Sequence, residues 1–109
     1  MISIKQINEK DIDECYELDS NTISLWNKKQ WVNEFQKEGI EVLGILLEKL
    51  LVGICVFHVV LDEAHINYFV VNPKFRRKGF GSHLMSHLIE RCQKLRICKL
   101  FWRSPKVIL

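Results

Sequence analysis

The sequence predicts a single α/β domain. Apolar runs of strand length alternate with helix-patterned segments, and 109 residues suit one core. One strand-to-helix junction also carries glycines and clustered cations, "NPKFRRKGFG" over Asn72 to Gly81. With 48% hydrophobic and 27% charged residues, the composition is that of a soluble globular domain. The longest apolar region, Val42 to Leu61, is interrupted by Glu48, Lys49 and His58. That pattern argues against a membrane span, and with no signal peptide in evidence the expected location is cytoplasmic. A net charge of +3 favours a polyanionic partner only where cations cluster, and they cluster in this junction.

"ISIKQI" alternates as a short strand. Asn8 can cap a helix with Asp11 at its third position, followed at helical spacing by Ile12, Cys15, Tyr16 and Asp19. A second helix is expected from about Asn27 to Glu38, burying Trp31 and Phe35 and stopping at Gly39. "IEVLGILLE" and "LLVGICVFHVVL" then suit an antiparallel hairpin turning at Glu48 and Lys49. "LDEA" turns the chain into the strand "HINYFVV", which Pro73 ends because it lacks an amide hydrogen. From Gly79 to Leu95, Phe80, Leu84, Leu88, Cys92 and Leu95 mark one buried helical stripe, and "CKLFW" closes the pattern as a last strand.

The junction has a chemical reading. A strand, a glycine-bearing loop and a helix start bring unpaired backbone N–H groups and the positive end of a helix dipole to one point, which suits an anion. Gly79 and Gly81 let a phosphate approach the backbone, while Arg76, Arg77 and Lys78 add charge. On spacing alone, a solvated basic loop explains the same residues. The spacing is not GxxxxGK[ST], and no acid follows about twenty residues on, so neither a P-loop nor a dinucleotide fingerprint is supported.

Arg76-x-x-Gly79-x-Gly81, preceded by "VVNPKF" and followed by an amphipathic helix, resembles the acetyl-CoA signature of the GNAT superfamily of N-acetyltransferases. "VVLDEAHINYFVVNPKFRRKGFGSHLMSHLIE" and "LWNKKQW" are similar to the RimI branch, which acetylates the N-terminal alanine of a ribosomal protein. The resemblance covers Ile2 to Phe101 and implies a central mixed sheet flanked by helices, here lacking the branch's last helix and strands.

It further implies acetyl-CoA as cosubstrate. Phe69, Val70 and Val71 would lie on a strand that splays from its parallel neighbour and pairs with the pantetheine arm. The amides from Arg77 through Lys78, Gly79, Phe80 and Gly81 to Ser82 would hold the pyrophosphate, with Arg76 bracing the loop, and an amide near Val70 would stabilise the oxyanion. The acceptor would be the N-terminus of a ribosomal or other protein. An α-amino group with a pKa near 8 is about one-tenth neutral at pH 7, so it needs less help from a base than a lysine does.

The branch supplies a glutamate base and a tyrosine acid. Here Arg103 stands where the glutamate would align, and no tyrosine follows Tyr68, so the resemblance leaves no catalytic residue and implies an inactive chain. A one-base deletion would explain the departure, given suitable codons. Reading from the last base of the Phe101 codon gives leucine, and AGG for Arg103 with TCN for Ser104 then gives Glu-Val. Trp102 to Leu109 would be an out-of-frame tail. The other functional expectation is a non-catalytic acyl-CoA-binding or interaction module.

The remaining candidates are weaker. His83 and His87 have zinc-compatible spacing without HExxH or a third ligand, so exposed helical histidines and no metal are expected. Glu63 and His65 could sit by an acceptor amine, although turn solvation and strand pairing explain them as well. Trp26 either lines an acceptor groove or packs two helices, whereas Trp31 reads as core. Cys15, Cys55, Cys92 and Cys98 lack CxxC spacing and read as buried free thiols. With few aromatics among the cations, nucleic acid is not an expected partner.

Overall fold

The structure is a computed structural model that describes residues 1–75, 77–103 and 107–108. Its centre is one mixed sheet. Strands β1 (Ile2–Gln6), β2 (Ile40–Leu47), β3 (Leu50–Val60) and β4 (Glu63–Val71) pair in sequence order and antiparallel, and β5 (Lys99–Trp102) joins β4 in parallel. A two-residue β6 (Val107–Ile108) pairs with the same edge of the sheet, parallel to Phe69 and Val70.

Helices cover both faces, which is why β2, β3 and β4 read as nearly continuous apolar runs. Helix α3 (Phe80–Lys94) lays Phe80, Leu84, Leu88 and Cys92 on a core with Leu43, Ile45, Cys55, Phe57, Ile66, Phe69 and Val71. On the opposite face, α1 (Ile12–Ser20) and α2 (Lys28–Phe35) close over Val42, Leu46, Ile54, Val56, Tyr68 and Val70. Trp31 is fully buried there, as its helical position predicts.

The register of β4 shifts once. Phe57 pairs with Ile66 and Val56 with Tyr68, which leaves Asn67 as the extra residue of a β-bulge. Across it Ile66 and Phe69 both face α3, while Tyr68 and Val70 face α1 and α2.

Both N-terminal helical segments start on asparagine capping boxes, Asn8 with Asp11 and Asn27 with Gln30. Three expectations change. The Asn8 cap opens a short 3-10 turn, Glu9–Asp11, ahead of α1. Tyr16 lies outside the buried stripe at 38% exposure, and Leu18 is buried instead. Helix α2 ends at Phe35, three residues before Glu38, because β2 must begin at Ile40 to reach its register with His58.

Gly39 therefore serves the turn into β2. It has φ +80°, its carbonyl accepts the Val59 amide at 2.8 Å, and an added Cβ would strike the Val59 carbonyl oxygen. Gly79 has a similar φ of +78°, but a Cβ there would meet only His83 Cδ2 at 4.0 Å. A left-handed backbone costs a side chain about 1–2 kcal/mol. Gly39→Ala should pay that and the collision, Gly79→Ala the first alone. Thermal melts should therefore rank Gly39→Ala clearly below Gly79→Ala; equal melting temperatures would refute the assignment of Gly39.

Candidate functional site

The site is built where β4 leaves the sheet. The Asn72 amide still donates to Val52 O at 2.7 Å, and the Asn72 side chain turns the chain by accepting the Lys74 amide at 3.0 Å. After a single 3-10 turn, Pro73–Phe75, the backbone is left-handed at Arg77 (φ +63°) and at Gly79, and α3 begins at Phe80. Helix α2 and the 3-10 turn before α1 begin under an asparagine side chain, but the N-cap of α3 is a glycine, which has no side chain to offer. The first amides of a 15-residue helix thus face outward with the positive end of its dipole.

A cavity of about 320 Å³ lies over this point, with Arg77, Gly79, Gly81 and Ser82 in its wall beside Phe75 and Phe80. The structure thus gathers all but two of the predicted loop residues around one space. Lys78 is exposed and does not line the cavity; its Nζ lies 6.0 Å from the Phe75 ring centre. Arg76, expected to brace the loop, lies outside the described residues. A second cavity of about 300 Å³, between α1 and the start of β3, includes Glu14 and Glu17 in its wall, which disfavours a polyanion.

Phe69, Val70 and Val71 are fully buried, so only their backbone can meet a ligand. The outer edge of β4 is taken in two pieces. β5 pairs with Glu63 to Ile66, and the Arg103 amide donates to Ile66 O at 2.7 Å. Val107 and Ile108 then pair with Phe69 and Val70. The free edge expected at these two residues is therefore occupied by the chain itself, which satisfies backbone groups that would otherwise lack partners.

On the α1–α2 side of β4, three chemical groups meet. The His65 ring stacks on Phe101 with centroids 5.0 Å apart, and its Nε2 lies 3.3 Å from Glu63 Oε1. Arg103 Nε donates to His65 Nδ1 at 3.3 Å, which assigns the ring proton to Nε2 and directs it to Glu63. The Arg103 guanidinium also lies over the Phe101 ring, 5.3 Å from its centre. Glu63 and His65 are thus linked to each other and to a cation. His83 and His87 are exposed on α3, where His87 Nδ1 bonds the His83 carbonyl oxygen at 3.1 Å.

Trp26 takes the packing role its position allowed. Its ring packs on Trp31 and Tyr68, with centroids 4.8 and 5.1 Å away, yet the residue is only half-buried. Beneath it lies a group that sequence reasoning did not single out, the fully buried carboxylate of Asp19. Glu34 is likewise buried and accepts from Asn67 Nδ2 at 3.0 Å and pairs with Lys37 Nζ at 2.7 Å. The signal for Asp19 was an acid at a core-facing helical position.

Cys15, Cys55 and Cys92 are buried free thiols as expected, but Cys98 is exposed. Burial pushes the Cys55 and Cys92 thiols up, and burial with Asp11 and Glu14 nearby pushes Cys15 up to about 12. None of these three is a thiolate nucleophile at neutral pH.

The profile of the Acetyltransferase (GNAT) family matches residues 6–106. The chain belongs to the GNAT acetyltransferase family. Curated relatives include a Bacillus subtilis protein provisionally named a ribosomal protein bS18-alanine N-acetyltransferase, 26% identical over 84% of this chain and 62% of its own length. The Escherichia coli bS18-alanine N-acetyltransferase is 25% identical over 93% of this chain and 68% of its own. This GNAT chain therefore spans about two thirds of the length of those relatives. Among solved structures, the Escherichia coli ribosomal-protein-S18-alanine N-acetyltransferase superposes with a TM-score of 0.87 at 24% identity, covering 94% of this chain and 66% of that one. The Thermoplasma acidophilum PaiA N-acetyltransferase, solved with coenzyme A, superposes at 0.74 and 16% identity, covering 89% and 75%. At these identities the superpositions show the GNAT fold.

Proposed function

We propose that this GNAT chain binds acetyl-CoA at the start of α3 and is, by descent, an N-α-acetyltransferase of the RimI type. The observation that carries the reading is the uncapped helix start at Gly79, opening on a cavity flanked by Arg77, Gly81 and Ser82. Open space above Gly79 fits a pyrophosphate that a side chain would displace. The names of the curated relatives support a ribosomal-protein alanine terminus as acceptor. No helix among the described residues is long and apolar enough to cross a membrane, and a cytoplasmic location follows from the proposed cosubstrate and acceptor.

Bound acetyl-CoA would supply the thioester that a neutral amine attacks. The chain's own contribution is binding and polarisation: amides at the start of α3 hold the pyrophosphate, and a β4 amide near Val70 donates to the carbonyl oxygen as charge develops on it. The pantetheine arm must displace β6 from Phe69 and Val70, a contact of only two residue pairs.

Proton transfer is where this chain falls short. Arg103 cannot accept a proton at neutral pH, and it engages the lone pair of His65 Nδ1. Its positive charge also lies on the face of β4 that an ammonium acceptor would approach. These features favour a chain with little turnover, and they keep a non-catalytic acyl-CoA-binding or interaction module as the second reading. We likewise propose that residues 102–109 are an out-of-frame tail on a single GNAT domain, which resequencing through the Phe101 codon decides.

Calorimetry should show CoA binding to the native chain and none to folded Gly79→Val or Gly81→Val; equal affinity in all three would remove the site from this loop. Because a positioned proton-transfer group is typically worth 10² to 10⁴ in rate, the native chain should acetylate an alanine-starting peptide barely above background. Arg103→Glu should raise kcat by about 10²-fold with unchanged affinity for acetyl-CoA. A fully active native chain, or no gain from Arg103→Glu, would contradict the assigned role of position 103.

A further inference from the structure

The buried carboxylate of Asp19 receives four donors from three separate parts of the chain. Oδ1 accepts the Leu25 amide and the Tyr68 hydroxyl, both at 2.9 Å. Oδ2 accepts the Trp26 amide at 2.9 Å and Trp31 Nε1 at 3.2 Å. Every acceptor position of the carboxylate is used. The Asp19 carbonyl also takes the Thr22 and Ser24 amides, at 3.1 and 2.7 Å, so the segment between α1 and α2 is wound around this residue.

The four donors are unequal in consequence. Trp31 and Tyr68 lie in the core and are held by their packing as well. Leu25 and Trp26 belong to an irregular segment whose path has no ladder to fix it. Trp26 then rests its ring on Tyr68, whose strand neighbours Phe69 and Val70 form the proposed edge for the acyl arm. One carboxylate therefore sets the height of a half-exposed indole above the strand that would present the thioester.

We infer that Asp19 is a positioning residue for the acceptor: acting through Trp26, it sets the wall against which the first residue of an N-terminal peptide packs. This rests on the acetyltransferase reading and adds a determinant of acceptor binding that is independent of the pyrophosphate loop. Asp19→Asn keeps the shape of the side chain but turns an –NH₂ toward two donors, so either the Trp26 or the Leu25 anchor is lost. Tyr68→Phe removes a single donor, leaves the ring in place and serves where Asp19→Asn fails to fold.

The test is a double-mutant cycle on the full chain, with Asp19→Asn, Trp26→Ala and the pair. Calorimetry with an alanine-starting peptide in the presence of CoA, and with CoA alone, gives the two affinities. Asp19→Asn should weaken the peptide by about tenfold or more, leave CoA within about twofold, and cost nothing further once Trp26 is alanine. Tyr68→Phe should weaken the peptide in the same direction. Additive losses, an equal loss of CoA in a folded variant, or unchanged peptide binding would overturn the role. A native chain that binds CoA but no peptide overturns this inference while leaving the cofactor site intact; one that binds neither overturns both.

Discussion

The molecule depends on β4 being buried on both faces while it still has to bend. Its side chains feed two cores at once, and strict two-residue alternation would send Ile66 and Phe69 to opposite faces. The extra residue at Asn67 resolves this, since Ile66 and Phe69, three positions apart, both reach the α3 core. The bulge also divides the strand by what each half faces. Before it, Glu63 and His65 project toward the α1–α2 side; after it, Tyr68 supports Trp26, and Phe69 to Val71 lead into the loop that delivers Gly79.

Backbone groups do most of the proposed binding. Helix α3 is fastened at its far end by Arg91, whose Nε donates to Glu41 on β2 at 2.7 Å, and along its length by the apolar stripe on the sheet. Its N-terminus is therefore fixed in direction, and the exposed amides need no rearrangement to receive an anion. The proposed acceptor side would be organised by side chains instead, above all by Asp19. A burial that would be costly for an unpartnered carboxylate is offset by four donors. Burial and the Asp19 carboxylate both push the Tyr68 hydroxyl well above the ordinary tyrosine range, so it stays a donor in this contact.

The features legible in the sequence were those with local causes. Asn8 and Asn27 announced capped helical starts because a capping box lies within four residues. The order of β1 to β5, the α3 stripe and the glycine loop followed from period and turn chemistry. The early end of α2 was hidden because β-sheet register, and no residue near Phe35, dictates it. The Asn67 bulge was hidden because an inserted residue inside an apolar run changes no composition. Asp19 read as one more residue of an acid-rich helix, since its donors come from positions 25, 26, 31 and 68 and meet only in the folded chain. The pairing of β6 with Phe69 and Val70 was equally invisible, because it joins segments nearly forty residues apart.

One proposed ligand would bridge the start of α3 and the outer edge of β4. Amide hydrogen exchange of the native chain, measured residue by residue with and without CoA, tests it most directly. Exchange should slow at Phe80, Gly81 and Ser82, with a change at Phe69 to Val71 as β6 gives way. Protection confined to Glu14, Glu17 and the start of β3, around the other cavity, would contradict it; so would unchanged exchange at both predicted segments under saturating CoA.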